Sequence, residues 1–579
     1  MDYNSMSERI ENNISVQRCI LFVASMAIVI YNIRFISKIE MPSIIVDEIG
    51  YLASGAFFRG WNWGDVMSSY SSYYAYGYGL FVSLVFLIFG ENMFVAYKTL
   101  IVCNALAIAM SFVISVIVIK QFEKRFCVRA GICFVLAFLP SVIHHAQFAW
   151  SETPLFVTYW LITYFLSKYC EERKTVYLKV TSFLHVYLYF VHQRAIGILL
   201  FYVVFLLMLL WKKVISKKTF VVAISIVVLM MLIGTSVKQL VVNAIFSTNT
   251  AKIVNAVSSV NTNDYSGQIN KIMAIFSKEG FTKLIVSIFG KITYFGLETL
   301  MLGFEGIVYC TIAMMRSLRS NNFIGKNYLT IYWLGSYFIT LLIAAVFHIH
   351  PTRIDVILYG RYTDWLIAPL VAMGMMFMKE FWGKRMFIYL LLEMICLLCV
   401  ISFMKYYKLY SNFATCSPIT FWFRNIMCEC KPYWVTFMFL VLTIMSTIVM
   451  FLMKHEGTTN LYFGLIITLL IWGFMANDAV KWDISMGEKD NVKGIANCLY
   501  GTEYPIYYIY DPDESGYITN LQYLLSEKQI NVIASESEIS SGASNSYVIC
   551  SSKKDMSDLG VATLISENTL YRLYFIDLK

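Results

Sequence analysis

From Met93 to Ile119 the chain carries a single charged side chain, Lys98, among long stretches of Val, Ile, Leu, Ala and Met. A helix that crosses a bilayer needs roughly 20 mainly apolar residues, and runs of this kind recur along the whole sequence. No soluble core could hide so many. Composition agrees: 58% of residues are hydrophobic and 14% charged, against about 25% charged in soluble domains. The fold class is therefore a polytopic α-helical membrane protein. The net charge of +9 does not point to nucleic acid, because the basic residues sit in short loops between apolar runs, where they set topology.

About 13 spans are expected, near 15–37, 93–119, 130–147, 153–168, 179–191, 194–211, 219–242, 296–315, 328–347, 365–378, 386–403, 434–453 and 461–478. The first apolar run lacks a small-residue cleavage site and reads as a retained helix. The run 79–89 is short for a span and is broken by "GEN" at 90–92, so it reads as a re-entrant or surface helix. With that choice the five inner loops hold 18 Lys and Arg in 49 residues, and the six outer loops hold 13 in 145. The basic density is about fourfold higher inside, as the positive-inside rule requires. The first outer loop, 38–92, and the tail then face outward.

The sequence divides into a membrane unit, 1–483, and a tail, 484–579. In the tail "PIYYIYD", "NVIAS" and "SYVICS" read as strands and "SGYITNLQYLLSEKQ" as an amphipathic helix, which together make a small extracytoplasmic α/β domain. The "DPD" at 511–513 has the form of a nucleotide-sugar metal motif, but nucleotide sugars are cytoplasmic and this segment is not. The thirteen cysteines show no framework spacing; Cys428 and Cys430 form one CxC pair, a weak disulfide or metal signal.

Polar groups gather at the outer ends of the spans. Asp47 and Glu48 open the first outer loop. After them Ile49, Leu52, Ala53, Ala56 and Phe57 fall on one helical face, which predicts an interfacial helix with that face in lipid, followed by two Trp residues at headgroup level in "RGWNWGD". Asp47 suits either a helix cap or a functional acid. Glu152 precedes the fourth span, His192 and Arg194 follow the fifth, and His348, His350, Arg353, Arg361 and Asp364 follow the ninth. Arg194 fits a snorkelling side chain or a site cation. His348 and His350 leave a divalent metal open, although two ligands without a third make a weak site. Arg361 suits a phosphate, since a guanidinium is a planar fork of donors. Glu298 and Glu305 lie seven apart, on one face of a single span, without an assigned role.

These features together resemble the GT-C glycosyltransferases, in the branch of the protein O-mannosyltransferases and the aminoarabinose transferases of lipid A. The resemblance is carried by "DEIGYLASG", the Gly-Trp region, "LVFLIFGENMFVAYK", "WSETPLFV" and "GRYTDWLIAPL", and it covers most of 15–478. It departs at 74–79, where "YAYGYG" stands in place of the Lys-Pro-Pro with which the aminoarabinose transferases hold phosphate. That leaves lipid A modification without support and shifts phosphate binding to Arg361, Arg353 and Arg194.

The resemblance implies a membrane glycosyltransferase of the EC 2.4 class, moving a sugar from a polyprenyl-phosphate donor to an acceptor hydroxyl on a glycan, lipid or protein, with inversion. By the same resemblance Asp47 is the base, Glu48 and Glu152 are supporting acids, and Arg361 is the main phosphate contact. Tyr73, Tyr74, Tyr76 and Tyr78, with His192 and Tyr362, are candidates for the sugar or acceptor pocket. A bacterial plasma membrane is the expected location, and no cofactor is firmly implied. A flippase for lipid-linked sugars and an outer-face polysaccharide polymerase or ligase are the competing readings. The first would show inverted repeats and polar groups at mid-membrane; the second would lack the early Asp-Glu pair.

Overall fold

The computed structural model describes residues 10–43, 45–71, 73–246, 268–319, 325–349, 356–381, 458–488, 492–513, 516–540, 545–556 and 562–577, with isolated positions between 388 and 451. Helix α1 (Ile14–Asn32) is capped by Asn13, whose side chain accepts from Val16 N. Three helices then form the long connection 38–92: α2 (Ile45–Arg59), α3 (Gly64–Tyr70) and α4 (Gly77–Phe89). Helix α5 (Met93–Ile119) starts at Asn92, which accepts from Val95 N. After it come α6 (Phe126–Leu136), α7 (Pro140–His145), α8 (Glu152–Glu172), α9 (Thr175–Val191), α10 (Ile196–Trp211) and α11 (Lys217–Ile245). The series continues with α12 (Gln268–Ala274), α13 (Lys278–Glu298), α14 (Leu302–Arg319), α15 (Gly325–Phe347), α16 (Asp364–Phe381) and α17 (Thr458–Glu488).

Among the described residues six helices are long and apolar enough to cross a membrane: α1, α5, α10 together with the turn before it, α11, and most of α15 and α17. The pair α13 and α14 makes a seventh if taken as one broken span. Three of the expected spans change shape. That over 130–147 is split into α6 and α7, because Pro140 stands in the first turn of α7 and proline cannot continue a preceding helix. That over 296–315 is bent by 108° where Leu300 and Met301 take φ of 48° and 64°, a left-handed backbone that ends a helix. Glu298 and Glu305 therefore lie on opposite sides of a bend, not on one helical face. The last, over 461–478, continues to Glu488. The spans over 386–403 and 434–453, and Cys428 and Cys430, lie outside the described residues.

Helix α4 is the short helix expected at 79–89. It packs on α2, and glycines permit the contact: a Cβ on Gly79 would stand 2.6 Å from Ser54 Cβ. The apolar face of α2 is therefore not in lipid. Ile49, Leu52 and Ala56 have no exposed surface, since α4 and the C-terminal unit cover them. The amphipathic period was right; it does not distinguish lipid from protein as the cover. The exposed apolar stripe in this loop is instead Leu80, Leu84, Leu87 and Ile88 of α4.

The C-terminal unit contains α18 (Lys493–Leu499), β1 (Ile506–Ile509), α19 (Ile518–Leu524), β2 (Ile530–Ile533), α20 (Ser537–Ser540), β3 (Ser546–Ser551), β4 (Ala562–Glu567) and β5 (Tyr571–Ile576). Strand order is β2-β1-β3-β5-β4. β1 pairs parallel with β2 and β3, and β5 pairs antiparallel with β3 and β4. The expected three strands and helix are present. The β4–β5 hairpin was not expected; it turns at Asn568, whose side-chain oxygen accepts from Leu570 N and Tyr571 N.

This unit is fastened to the connection 38–92. Trp63 donates from Nε1 to Ser526 O at 2.8 Å and is buried, so it does not sit at headgroup level. The Tyr523 hydroxyl donates to Met93 O at 2.8 Å. The Tyr70 hydroxyl donates to Asp511 O at 2.9 Å and accepts from Asp511 N at 3.0 Å, which ties the "DPD" backbone to α3. Trp63→Ala should therefore lower stability by about 3–5 kcal/mol, the usual cost of truncating a buried Trp. A lower melting temperature in detergent and earlier proteolysis within 489–579 are the expected readouts.

Candidate active site

Four segments distant in sequence bring their polar side chains to one place. Asp47 is the third residue of α2, in its first turn rather than at its cap, where the helix dipole favours an acid. Glu152 is the first residue of α8. Arg194 lies in the short 3-10 turn Gln193–Ala195, where His192 Nδ1 accepts from Arg194 N at 3.1 Å. Arg361 follows Gly360, whose carbonyl accepts from Thr363 N at 2.7 Å and Asp364 N at 3.1 Å. That turn sets Arg361 at the entrance to α16.

Arg361 joins the two acids. Its Nη1 donates to Asp47 Oδ2 and its Nε to Glu152 Oε1. Arg194 Nη2 donates to the same Glu152 oxygen at 2.8 Å. The other Glu152 oxygen accepts from Ser151 Oγ at 3.2 Å, and Ser151 Oγ accepts from the Tyr51 hydroxyl at 2.8 Å. The Arg361 guanidinium lies 4.2 Å from the Trp150 ring centre, and that of Arg194 lies 5.4 Å from Tyr362. The Glu152 side chain is 1% exposed, Arg361 6% and Asp47 19%. The network is thus deeply buried with Asp47 at its open side. Burying charge is costly unless it is paired, and here two cations face two carboxylates.

Burial alone would push the Glu152 carboxyl up. Arg361 and Arg194 outweigh it and hold the group well below the ordinary carboxylate range. Burial opposes the charge on Arg361 as well, but Asp47 and Glu152 raise it well above its usual value. The sign for stability follows. A carboxyl depressed on folding stabilises above its unfolded pKa of about 4.3 and loses that contribution as pH falls toward the folded value. Thermal melts should therefore stay flat from neutral pH to about pH 5 and decline below about pH 4, with the decline reduced in Glu152→Gln.

Glu48 has different partners. It is fully buried and accepts from Ser43 N at 2.8 Å, Ala149 N at 2.7 Å and the Tyr97 hydroxyl. These neutral donors fix the start of α2 against α5 and the turn before Glu152. Tyr73, Tyr76 and Tyr78 are buried among rings: Tyr73 against Phe246, Tyr76 against Phe190 and Tyr78 against Phe81. Among the four loop tyrosines it is Tyr74 that meets Asp47; burial and the Asp47 charge push its hydroxyl well above the usual range. The His192 ring lies 6.4 Å from Tyr74 and 6.2 Å from Tyr51, and burial beside Arg194 keeps it neutral by lowering it well below its usual value. Tyr362 and His348 are half-buried, with ring centres 5.1 Å apart. Arg353 and His350 lie outside the described residues. Among the described residues no three His, Cys, Asp or Glu side chains gather to hold a metal.

Tyr51, Trp150 and Ser151 were missed by sequence reasoning. Tyr51 stands four residues after Asp47 and so on the same helical face, and Trp150 and Ser151 adjoin Glu152; those spacings were available signals. The constellation can do two things chemically. A carboxylate at its open side can accept a proton, and a guanidinium pair can hold an anion.

No family model matches the chain, and no match is found among curated proteins. Among solved structures, ArnT from Cupriavidus metallidurans bound to undecaprenyl phosphate is similar over 97% of this chain and 98% of that chain, at 11% identity and a TM-score of 0.54. The apo state of the same protein covers the same shares at 11% identity and a TM-score of 0.51. The archaeal oligosaccharyltransferase AglB from Archaeoglobus fulgidus aligns at a TM-score of 0.39, too loosely to bear on the fold. The similarity to ArnT extends across both the helical region and the C-terminal sheet. The chain is a multi-pass membrane protein, and its fold is the one seen in ArnT.

Proposed function

We propose that the protein is a membrane glycosyltransferase that moves a sugar from a polyprenyl-phosphate donor to an acceptor hydroxyl on the extracytoplasmic face, in a bacterial plasma membrane. The observation that carries this reading is the single guanidinium of Arg361 shared between Asp47 and Glu152. It sets an anion-binding group beside an acid. The undecaprenyl phosphate bound to ArnT supports a donor of that lipid class.

In this reading the isoprenoid tail lies between helices and the sugar-phosphate at Arg361. A guanidinium has five N–H groups, so Arg361 can take a phosphate oxygen while keeping Glu152. The phosphate displaces Asp47 from Arg361 and leaves it to face the acceptor. The acceptor oxygen then forms a bond to the anomeric carbon as its proton passes to Asp47, which acts as general base. The bond from the anomeric carbon to the phosphate oxygen breaks, and its electron pair leaves with the phosphate. Arg361 and Arg194 stabilise the charge that develops there. One displacement inverts the anomeric centre. Glu152 keeps the two cations in register, and Tyr74 with Tyr362 supplies ring faces for the sugar.

A panel of polyprenyl-phosphate and polyprenyl-pyrophosphate sugars offered to purified protein tests this. Free polyprenyl phosphate as product supports the reading. Movement of intact donor across liposomes makes the protein a flippase, and release from pyrophosphate donors alone makes it a polymerase or ligase.

A further inference from the structure

Behind the Arg361–Glu152 pair lies a second buried polar cluster that the proposed transfer does not use. A cavity with room for about one water is lined by Ser141, His145, Glu152, Arg361 and Asp364, among others. Two polar atoms around it, His145 Nε2 and Asp364 Oδ1, have no hydrogen-bond partner among the described residues. Buried polar atoms are seldom left so, and the groups around the cavity show what they can do.

The chain of contacts starts at Asp483, whose Oδ2 lies 2.8 Å from His144 Nε2. A carboxylate only accepts, so His144 Nε2 carries hydrogen. His144 Nδ1 lies 3.4 Å from His145 Nδ1. Across that ring His145 Nε2 lies 3.6 Å from Asp364 Oδ2, too far for a hydrogen bond. On its other side Asp364 Oδ2 accepts from the Tyr294 hydroxyl at 3.1 Å. Glu298 lies against the same Tyr294, and one hydroxyl proton cannot serve two carboxylates. Glu298 Oε1 takes its own donor, Ser141 N, at 2.9 Å.

We propose that Asp364 stands as a neutral carboxylic acid and is a positioning residue for Arg361, a role that rests on the transferase reading. Asp364 and Arg361 share the Gly360 turn and the cavity. As an acid, Asp364 brings a proton to a place where two carboxyls, its own and that of Glu298, crowd the one Tyr294 hydroxyl. It also leaves the Arg361 charge to Asp47, Glu152 and the donor phosphate. As an anion it would draw that guanidinium inward and repel the phosphate. The groups facing it agree with this state: Tyr294 and Glu298 from α13, Tyr337 from α15, Glu152 from α8 and His145 from α7, with buried Glu305 on α14, which packs along α16. Arg194 and Arg361 are the cations on the other side, and both are committed to Glu152. Burial and the Glu298 carboxyl push Asp364 well above the ordinary range.

Infrared difference spectra of the full-length protein, wild type against Asp364→Asn at pH 7, test the state directly. The carbonyl band of a protonated carboxylic acid should be present in the wild type and lost in the variant; its absence from the wild type overturns the proposal without reference to activity. Undecaprenyl phosphate binding is the second readout. Asn keeps a neutral donor and acceptor, so Asp364→Asn should bind within about threefold of wild type, and Asp364→Ala should bind at least about tenfold more weakly. An Asp364→Asn protein as weak as Asp364→Ala would mean that the anion is what Arg361 needs, and the proposal fails. If the infrared band is present and the wild-type protein binds undecaprenyl phosphate but transfers no sugar from any donor, the transferase reading fails instead; if transfer occurs and no variant at this site alters it, the positioning role fails.

Discussion

Asp47→Asn is expected to reduce sugar transfer by about 10²–10⁴-fold, the usual worth of a positioned general base, with expression and membrane insertion unchanged. Asn is nearly isosteric with Asp and its side-chain oxygen can still accept from Arg361, so the start of α2 keeps its contact. What it lacks is basicity. Asp47 is the acid at the open side of the network, with 19% of its side chain exposed against 1% for Glu152, so it is the carboxylate an acceptor can reach. Affinity for undecaprenyl phosphate should hold or improve, since the phosphate no longer competes with an anion for Arg361. A variant with wild-type turnover removes Asp47 from the chemistry and returns it to stabilising the first turn of its helix.

Arg361→Ala should lose both activity and stability. It strips Glu152 of one of its two cations while that carboxyl stays 1% exposed, and removing one partner of a buried pair costs about 3–5 kcal/mol. Transfer should fall below detection, because phosphate binding and the positioning of Asp47 fail together. Arg361→Lys separates the two effects. An ammonium restores the charge but not the fork that spans Asp47 and Glu152, so Lys should recover much of the melting temperature and little of the turnover. Equal recovery of both would mean that Arg361 acts as a point charge.

Much of this site could be read from the sequence because topology is cheap to infer. The apolar runs gave the expected ends of the spans, and counting Lys and Arg in the loops assigned Asp47, Glu152, Arg194 and Arg361 to one expected side. The structure brings these four into one hydrogen-bonded network. The division of labour within each segment could not be read. Asp47 and Glu48 are adjacent, yet one meets Arg361 and the other is enclosed by neutral donors, because side chains about 100° apart on a helix face different neighbours. The same limit applies to the tyrosines, where Tyr74 reaches Asp47 and Tyr73, Tyr76 and Tyr78 fill space between helices. Apolar period gave the inward face of α2 but could not say that α4 and the C-terminal unit cover it. Broken helices were hidden as well: residues 296–315 read as one span, and the left-handed pair Leu300 and Met301 has no composition signal. The bend matters, because it delivers Tyr294 and Glu298 to the back of the site.

The most direct test of the central claim is the release of undecaprenyl phosphate from an undecaprenyl-phosphate-linked sugar by the purified protein in sealed proteoliposomes of known orientation. Wild-type protein should release it, together with glycosylated acceptor, when donor and acceptor meet the face that carries Asp47 and Arg361. Asp47→Asn should bind the donor and release almost none. Release by Asp47→Asn at the wild-type rate, or transfer confined to the opposite face, would contradict the account.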